Sequence, residues 1–505
     1  MLTFADPLRH AAECHAGQLA IVDGDARLDF AAFVSRCRRV GAALRRDTAP
    51  GDRVAVLAPN GSRTLEVIQA TPAVGRVIVP LNTRLALPEL LYQIEDCSPV
   101  LLVTDWSEEA LGELADRVPR VVRLGEEYEA WLGEEIGGRL GDDVDESDVA
   151  GLFYTGGTTG ASKGVMLTHR NRLADSLHLE AAVQLNEEDR WIVLGPMYHA
   201  SGTFQALLCF WMGVPQVLLP AFEPGAVLDL IERERVTIAF GVPAMLDALA
   251  LEQARSPRDV SSLRLMGYGA APASSAVLRR FSAAFGECDL VSMYGATELA
   301  PMGTVLHHME RRLDSPRLRS AGQPVAGVRL RIVDPQGEAV AAGTVGEVCV
   351  RGPNIMKGYW RKPEETARAL RDGWYHSGDL GYVDEDHCLF LVDRAKDMII
   401  SGGENVYSTE VEEVLSQHPD VAECAVFGVP DDRWGEVVRA AVVLREGATT
   451  DEKALTVHCR EALGGYKVPK QIDLREDPLP RSAAGKVLKR ELRAPFWQGR
   501  DRSIS

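Results

Sequence analysis

Nowhere in the 505-residue chain does an uninterrupted apolar run reach the ~20 residues that a bilayer-spanning helix needs. Met1 to His10 lacks the apolar core of a secretory leader, so none is expected. Positive charge is in deficit: 55 Lys and Arg face 73 Asp and Glu, a net charge of −18. Gripping nucleic-acid phosphates or anionic lipid takes clustered Lys and Arg, so neither is an expected partner. The nine cysteines are odd in number and scattered, with no CxxC pair. That argues against a zinc ribbon or a disulfide framework and for a reducing, cytoplasmic setting. There is no internal repeat, coiled coil or low-complexity tract. What remains is an ordinary globular composition, 46% hydrophobic and 25% charged, in a chain too long for one simple core.

The first half alternates apolar strand-like runs with helical spacing. Arg53–Ala58, Val77–Pro80 and Val100–Val103 read as strands, with helices over Arg63–Val74 and Leu87–Asp96 between them. The rhythm resumes at Trp191–Leu194, Thr237–Phe240 and Leu263–Met266, which predicts layered α/β sheets. From Gln323 to Val392, short runs such as Arg329–Val333 and Gly346–Val350 alternate with Gly and Pro turns, the texture of a small β-rich subdomain. Asp393–Asp397 then interrupts the apolar flow, and a compact α+β tail follows. The expected division is a large α/β domain over 1–394, containing the β-rich subdomain 323–392, and a smaller α+β domain over 395–505.

The densest cluster of chemistry is Tyr154-Thr155-Gly156-Gly157-Thr158-Thr159-Gly160-Ala161-Ser162-Lys163-Gly164, directly after the apolar run Val149–Phe153. Glycines let backbone N–H groups approach an anion closely, hydroxyls add donors, and Lys163 supplies a mobile cation suited to phosphate. A flexible linker of the same composition is seldom set between apolar strands around one lysine. The string is not a Walker A loop, which ends Gly-Lys-Ser/Thr with the lysine opening a helix. It resembles the signature loop of the adenylate-forming superfamily, which comprises acyl-CoA synthetases, peptide-synthetase adenylation domains and firefly luciferases. That family usually has serine where this chain has Gly156, and often proline where it has Ser162. Loss of the serine hydroxyl weakens one phosphate contact.

Further motifs follow in the family's order across nearly the whole chain. Gly269-Ala270-Ala271-Pro272 resembles the turn that lines the adenine pocket. In Tyr294-Gly295-Ala296-Thr297-Glu298, the tyrosine offers a face for a purine and Thr297 a donor to phosphate. Glu298 is a hard oxygen ligand for Mg²⁺. In Trp374-Tyr375-His376-Ser377-Gly378-Asp379, the resemblance places Asp379 on the ribose hydroxyls, a diol that a carboxylate can accept from twice. Arg394 resembles the arginine that also reaches the nucleotide, and Lys396 stands at the hinge position before a mobile lid. Gly402, Gly403 and Glu404 lie in a loop similar to the one that enters the site for thioester formation. Pro480-Arg481-Ser482-Ala483-Ala484-Gly485-Lys486 resembles the catalytic-lysine motif, in which a cation offsets charge developing on carboxylate and α-phosphate.

Pro196-Met197-Tyr198-His199-Ala200-Ser201-Gly202 resembles the PxFHxxG segment of acyl- and aryl-CoA synthetases, with His199 where carboxylate and acyl pockets meet. Motif alignment adds Gln205, Met245, Pro301 and Met302 to Ala200 and Ser201 as the acyl wall. The aspartate that amino-acid-activating relatives carry is absent, and no arginine stands ready for a second carboxylate. The resemblance therefore implies ATP-dependent activation of a small-molecule carboxylic acid, medium-chain fatty or aryl, to an acyl-AMP. Transfer to coenzyme A follows, with Mg²⁺ assisting. Alternatives are loading of an acyl carrier protein and, more remotely, a non-catalytic acyl-nucleotide sensor. The sequence leaves a homo-oligomer open.

Overall fold

The computed structural model describes residues 2–133, 139–142, 144–155, 162–271, 273–307, 317, 320–431, 433–481 and 487–498. Among them the strands form four sheets.

In a seven-stranded sheet, Val77–Pro80, Arg53–Leu57, Leu101–Thr104 and Val121–Arg123 run parallel. Every residue of Val77–Pro80 and Leu101–Thr104 is buried, because helices cover both faces of a parallel sheet and leave no wet side. The helices Ser62–Ala73 and Leu87–Cys97 supply part of that cover, within two residues of their expected bounds. The antiparallel hairpin of Val149–Thr155 and Lys163–Thr168 extends this sheet, and its register sets Thr155 opposite Lys163. The glycine-rich stretch lies between those two residues in sequence.

A nine-stranded sheet has Trp191–Val193, Ile238–Gly241, Leu265–Gly269 and Asp289–Tyr294 as parallel neighbours. Gly269 pairs with Met293, so the carboxyl ends of the last two strands lie side by side. Two sequence motifs therefore emerge together at one rim, the place where open α/β sheets bind ligands.

The short strands between 323 and 392 do not stay in one sheet. Gln323–Pro324 joins the nine-stranded sheet, and Gly358–Tyr359 adds an edge to the seven-stranded one. Arg329–Val333, Gly346–Arg351, Leu370–Arg371, Trp374–Val383 and Leu389–Arg394 make an antiparallel sheet of their own. Two-residue strands carry too little pattern to reveal which sheet they will join.

The tail from Ile399 builds a fourth sheet around the long antiparallel pair Val421–Asp431 and Gly435–Leu444, with helices Ser408–Ser416 and Glu452–Ala462 beside it. Its buried residues, among them Val406, Val411, Leu415, Val438 and Leu455, form a separate core. No helix of the described residues is long and apolar enough to cross a membrane, and all nine cysteines are free thiols.

Candidate active site

Two chains of side-chain contact leave the rim of the nine-stranded sheet, one to the antiparallel sheet of Trp374–Val383 and one to the hairpin. Tyr294, the last residue of its strand, donates its hydroxyl to Asp379 Oδ2 at 2.8 Å. The Arg394 guanidinium lies 3.3 Å from Asp379 Oδ1. Burial first, then the Asp379 charge, push the Tyr294 phenol well above its ordinary pKa, so it stays a neutral donor. Asp379 and Arg394 are held opposite one another by strand register.

The second chain begins at Lys163, whose ammonium sits 4.9 Å over the Tyr359 ring. The Tyr359 hydroxyl donates to Glu298 Oε1 at 2.9 Å. Burial and the Glu298 charge push the Tyr359 phenol up as well. Glu298 stands on the single turn Thr297–Leu299, which the loop after Arg351 pins from behind. The Met356 N–H donates to Glu298 O at 2.9 Å, and buried Asn354 donates to Leu299 O at 2.7 Å and Met302 O at 2.6 Å. Tyr359 occupies only one Glu298 oxygen, so Oε2 suits a hard divalent cation.

Two glycines are required by space. A Cβ on Gly295 would stand 1.8 Å from Pro301 O, and one on Gly202 would stand 1.9 Å from Pro196 O. At Gly295 the absence of a side chain lets Pro301 and Met302 fold back over the strand end. At Gly202 it lets the Pro196–Gly202 turn close beneath His199. The His199 ring packs edge-on against Tyr198 at 4.7 Å, and Asn60 secures the turn by accepting from Met197 N–H at 2.8 Å. After Gly269, Ala270 adopts φ 66°, a left-handed conformation that an alanine holds only when its surroundings impose it.

Of the residues expected to line an acyl pocket, Ala200, Gln205 and Met302 are buried, and Ser201, Met245 and Pro301 are half-buried. Gln205 Nε2 donates to Gly202 O at 3.3 Å. Beneath them lies Arg172, fully buried, on the helix His169–Val183. It donates to Ala200 O at 3.1 Å, Ala300 O at 2.9 Å and Thr203 Oγ1 at 3.1 Å. Burial lowers its guanidinium to about 10. One helical turn on, Asp175 accepts the Met302 N–H at 3.0 Å. Burial pushes the Asp175 carboxyl well above the usual range.

Lys396 follows Arg394 by two residues. Burial lowers its ammonium to about 8, with the charges of Arg394 and Arg493 adding to the effect against the pull of Asp397. Arg493 pairs with Asp397 at 3.1 Å and donates to Lys396 O at 3.2 Å. Gly402 and Gly403 have φ of 62° and 86°, and Gly402 lies against half-exposed Trp434, whose Cε3 a Cβ would meet at 2.7 Å. Glu404 is exposed.

Gly156, Gly157, Thr158, Thr159, Gly160, Pro272 and Lys486 lie outside the described residues. The residues that motif reading missed are Tyr359, Asn354, Arg172, Asp175 and Phe240. Gly358-Tyr359-Trp360 carries a weak signal, an aromatic pair after a glycine. Buried Arg172 and Asp175 look in sequence like two ordinary helix-surface charges.

A model of the AMP-binding enzyme family matches residues 8–360, and one of the AMP-binding enzyme C-terminal domain matches residues 410–486. A feruloyl-CoA synthase of Amycolatopsis is 42% identical, covering 94% of this chain and 96% of that protein. The fatty acid–[acyl-carrier-protein] ligase ScoC of Streptomyces coeruleorubidus is 37% identical, covering 90% and 89%. The crystal structure of ATP-bound MatB from Rhodopseudomonas palustris superimposes with a TM-score of 0.90 at 33% identity, covering 98% of this chain and 99% of that one.

Proposed function

The chain belongs to the AMP-binding enzyme family, and from that premise we propose that its acid substrate is aromatic and its thiol acceptor coenzyme A. The protein is an AMP-forming acid–thiol ligase that uses ATP, Mg²⁺ and coenzyme A. A carboxylate oxygen attacks the α-phosphorus, the bond to pyrophosphate breaks, and an acyl-AMP forms. The thiolate then attacks the acyl carbon, the C–O bond breaks, and AMP leaves.

The observation that carries the assignment of residues is the convergence of distant motifs on one rim through Lys163–Tyr359–Glu298 and Tyr294–Asp379–Arg394. In this reading Asp379 and Arg394 hold the ribose and Tyr294 lines the adenine site. Thr297 and Lys163 meet phosphate oxygens. Glu298 holds Mg²⁺, which supplies charge neutralisation on the phosphates. His199 orients the carboxylate at the mouth of the acyl pocket. Lys486 approaches from the domain 395–505, swinging about Lys396, and the Gly402–Gly403 loop admits the thiol arm.

The preference for an aromatic acid rests on an aromatic wall. Phe240 stands opposite Gly267 in strand register, and on that face Gly267 and Gly269 leave room for its ring: a Cβ on Gly267 would meet Phe240 at 2.9 Å and one on Gly269 would meet it at 3.5 Å. The Phe240 ring thus offers an apolar aromatic surface beside the strand ends. Among the described residues, the buried cation beside the acyl segments is Arg172, and its two terminal nitrogens already serve Ala200, Ala300 and Thr203 rather than a second carboxylate. The 42% identity to a feruloyl-CoA synthase supports the same class.

Carrier-protein loading stands as the second reading, favoured by the resemblance to ScoC. AMP release should be followed with hydroxycinnamic, benzoic, medium-chain fatty and malonic acids, with coenzyme A or a phosphopantetheinylated carrier protein as acceptor. The expected result is coenzyme A-dependent release with the hydroxycinnamic or benzoic acids, at least ~10-fold above the others in kcat/KM. Activity confined to the carrier protein, or to malonate, would overturn the reading.

A further inference from the structure

Many arginines of this acidic chain are matched by carboxylates, as Arg36 is by Glu66, Arg258 by Asp229 and Arg264 by Asp189. Arg329 and Arg351 are distinguished by their placement. They stand directly opposite each other on the antiparallel strands Arg329–Val333 and Gly346–Arg351. Like charges so placed repel and destabilise the pair. Both are exposed, and among the described residues neither has a carboxylate within ion-pair distance. A third arginine, Arg170, likewise without a carboxylate partner among the described residues, joins them in lining a pocket of about 710 Å³ with Asn171, Gly327, Gly352, Pro353 and Ile355. Arg170 lies in the first turn of the fifteen-residue helix His169–Val183, where the backbone adds partial positive charge.

We propose that this pocket binds a small ligand carrying at least two phosphate charges. Guanidinium groups grip phosphate oxygens two at a time, and an anion between Arg329 and Arg351 turns their repulsion into shared attraction. The volume suits a nucleotide-sized molecule rather than a lone ion.

The pocket is separate from the cleft of Asp379 and Glu298, but one loop connects them. Asn171 donates to Pro353 O and Ile355 O, both at 2.8 Å, and all three residues line the pocket. Between and beyond those carbonyls, Asn354 and Met356 hold the turn that carries Glu298. A ligand on the arginines therefore presses on the far side of the loop that positions that carboxylate.

The same phosphate chemistry has two sources, a separate phosphorylated metabolite or the nucleotide end of coenzyme A, and the test distinguishes them. Full-length protein is first saturated with Mg²⁺ and α,β-methylene-ATP, which fills the catalytic cleft. Tripolyphosphate, and separately desulfo-coenzyme A, is then titrated by calorimetry. The expected result is one further site for tripolyphosphate, weakened at least ~10-fold by R329S/R351S and by R170Q, and weakened by added salt. Desulfo-coenzyme A binding with the same sensitivity identifies the thiol substrate as the source; its insensitivity identifies a separate metabolite. In anion-free buffer R329S/R351S should melt no lower than wild type, since it removes a repulsion. No added site, an affinity unchanged in both variants, or equal binding of poly-glutamate would overturn the proposal.

Discussion

Tyr294 and Asp379 illustrate how much one hydroxyl decides. The 2.8 Å bond fixes the carboxylate that is proposed to receive the ribose, while Arg394 holds its other oxygen. A neutral-to-charged hydrogen bond of this kind contributes about 1.5 kcal/mol net. Y294F should therefore raise KM for ATP roughly 10-fold and leave KM for the acid within about 2-fold, as steady-state kinetics with each substrate varied will show. At this scale the sequence was legible where a motif brings its own chemistry. Glu298, Asp379, Arg394 and Lys163 were all identifiable, and they meet as two linked groups. Tyr359 and Asn354 were not, because their roles arise from a loop that returns from a different sheet. A buried asparagine bonding two carbonyls has the same letter as an exposed one in a turn.

The helix His169–Val183 shows the limit of pattern reading at the scale of one element. Its apolar residues trace no clean stripe, because buried His169, Asn171, Arg172, Asp175 and His178 interrupt the core-facing surface. Each makes a connection that an apolar residue could not. Asn171 holds the loop after Arg351, and Arg172 and Asp175 tie together the segments around Ala200 and Met302. Those segments form the proposed acyl wall, so the helix sets its width. R172M leaves the Ala200 and Ala300 carbonyls without their donor, at a cost of about 1–3 kcal/mol. The expected outcome is a lower melting temperature and a KM for the acid at least ~10-fold higher, with KM for ATP within about 2-fold. R172K, which keeps the charge but not the planar fork, should restore stability more than it restores KM. Equal changes in both KM values would show that the helix supports the whole domain rather than the acyl wall.

Across the whole molecule, the tail from Ile399 has its own sheet and core, yet charged groups bind it to the strand that ends at Arg394. Asp393 accepts from Ser408 N–H at 2.6 Å; within the tail, Lys489 pairs with Glu412 at 2.7 Å and its charge also acts on Asp393; and Ser275, on the helix Ser275–Phe285, donates to Glu413 at 2.8 Å. Burial raises the Asp393 carboxyl against the pull of Lys489. Lys396, the proposed pivot, lies among these groups with its ammonium lowered from 10.5 to about 8. The unfolded chain therefore binds more protons than the folded one between those values, and folding stability gains with rising pH across that window. Urea unfolding of wild type and K396M should diverge in favour of wild type between pH 8 and pH 10.5. A constant difference would show that Lys396 is solvated. The layered α/β plan and the separate tail were readable because long buried strands and helices repeat their period many times. The scattering of short strands over three sheets was not, since two residues carry no period.

Attack of the acid's own oxygen on the α-phosphorus of ATP leaves an isotopic record. The acid that supports AMP release is labelled with ¹⁸O in the carboxylate and incubated with ATP, Mg²⁺ and coenzyme A. One ¹⁸O is expected in the AMP released and none in pyrophosphate, because the acyl C–O bond breaks when the thiolate attacks. Unlabelled AMP, or label appearing in inorganic phosphate, would contradict it.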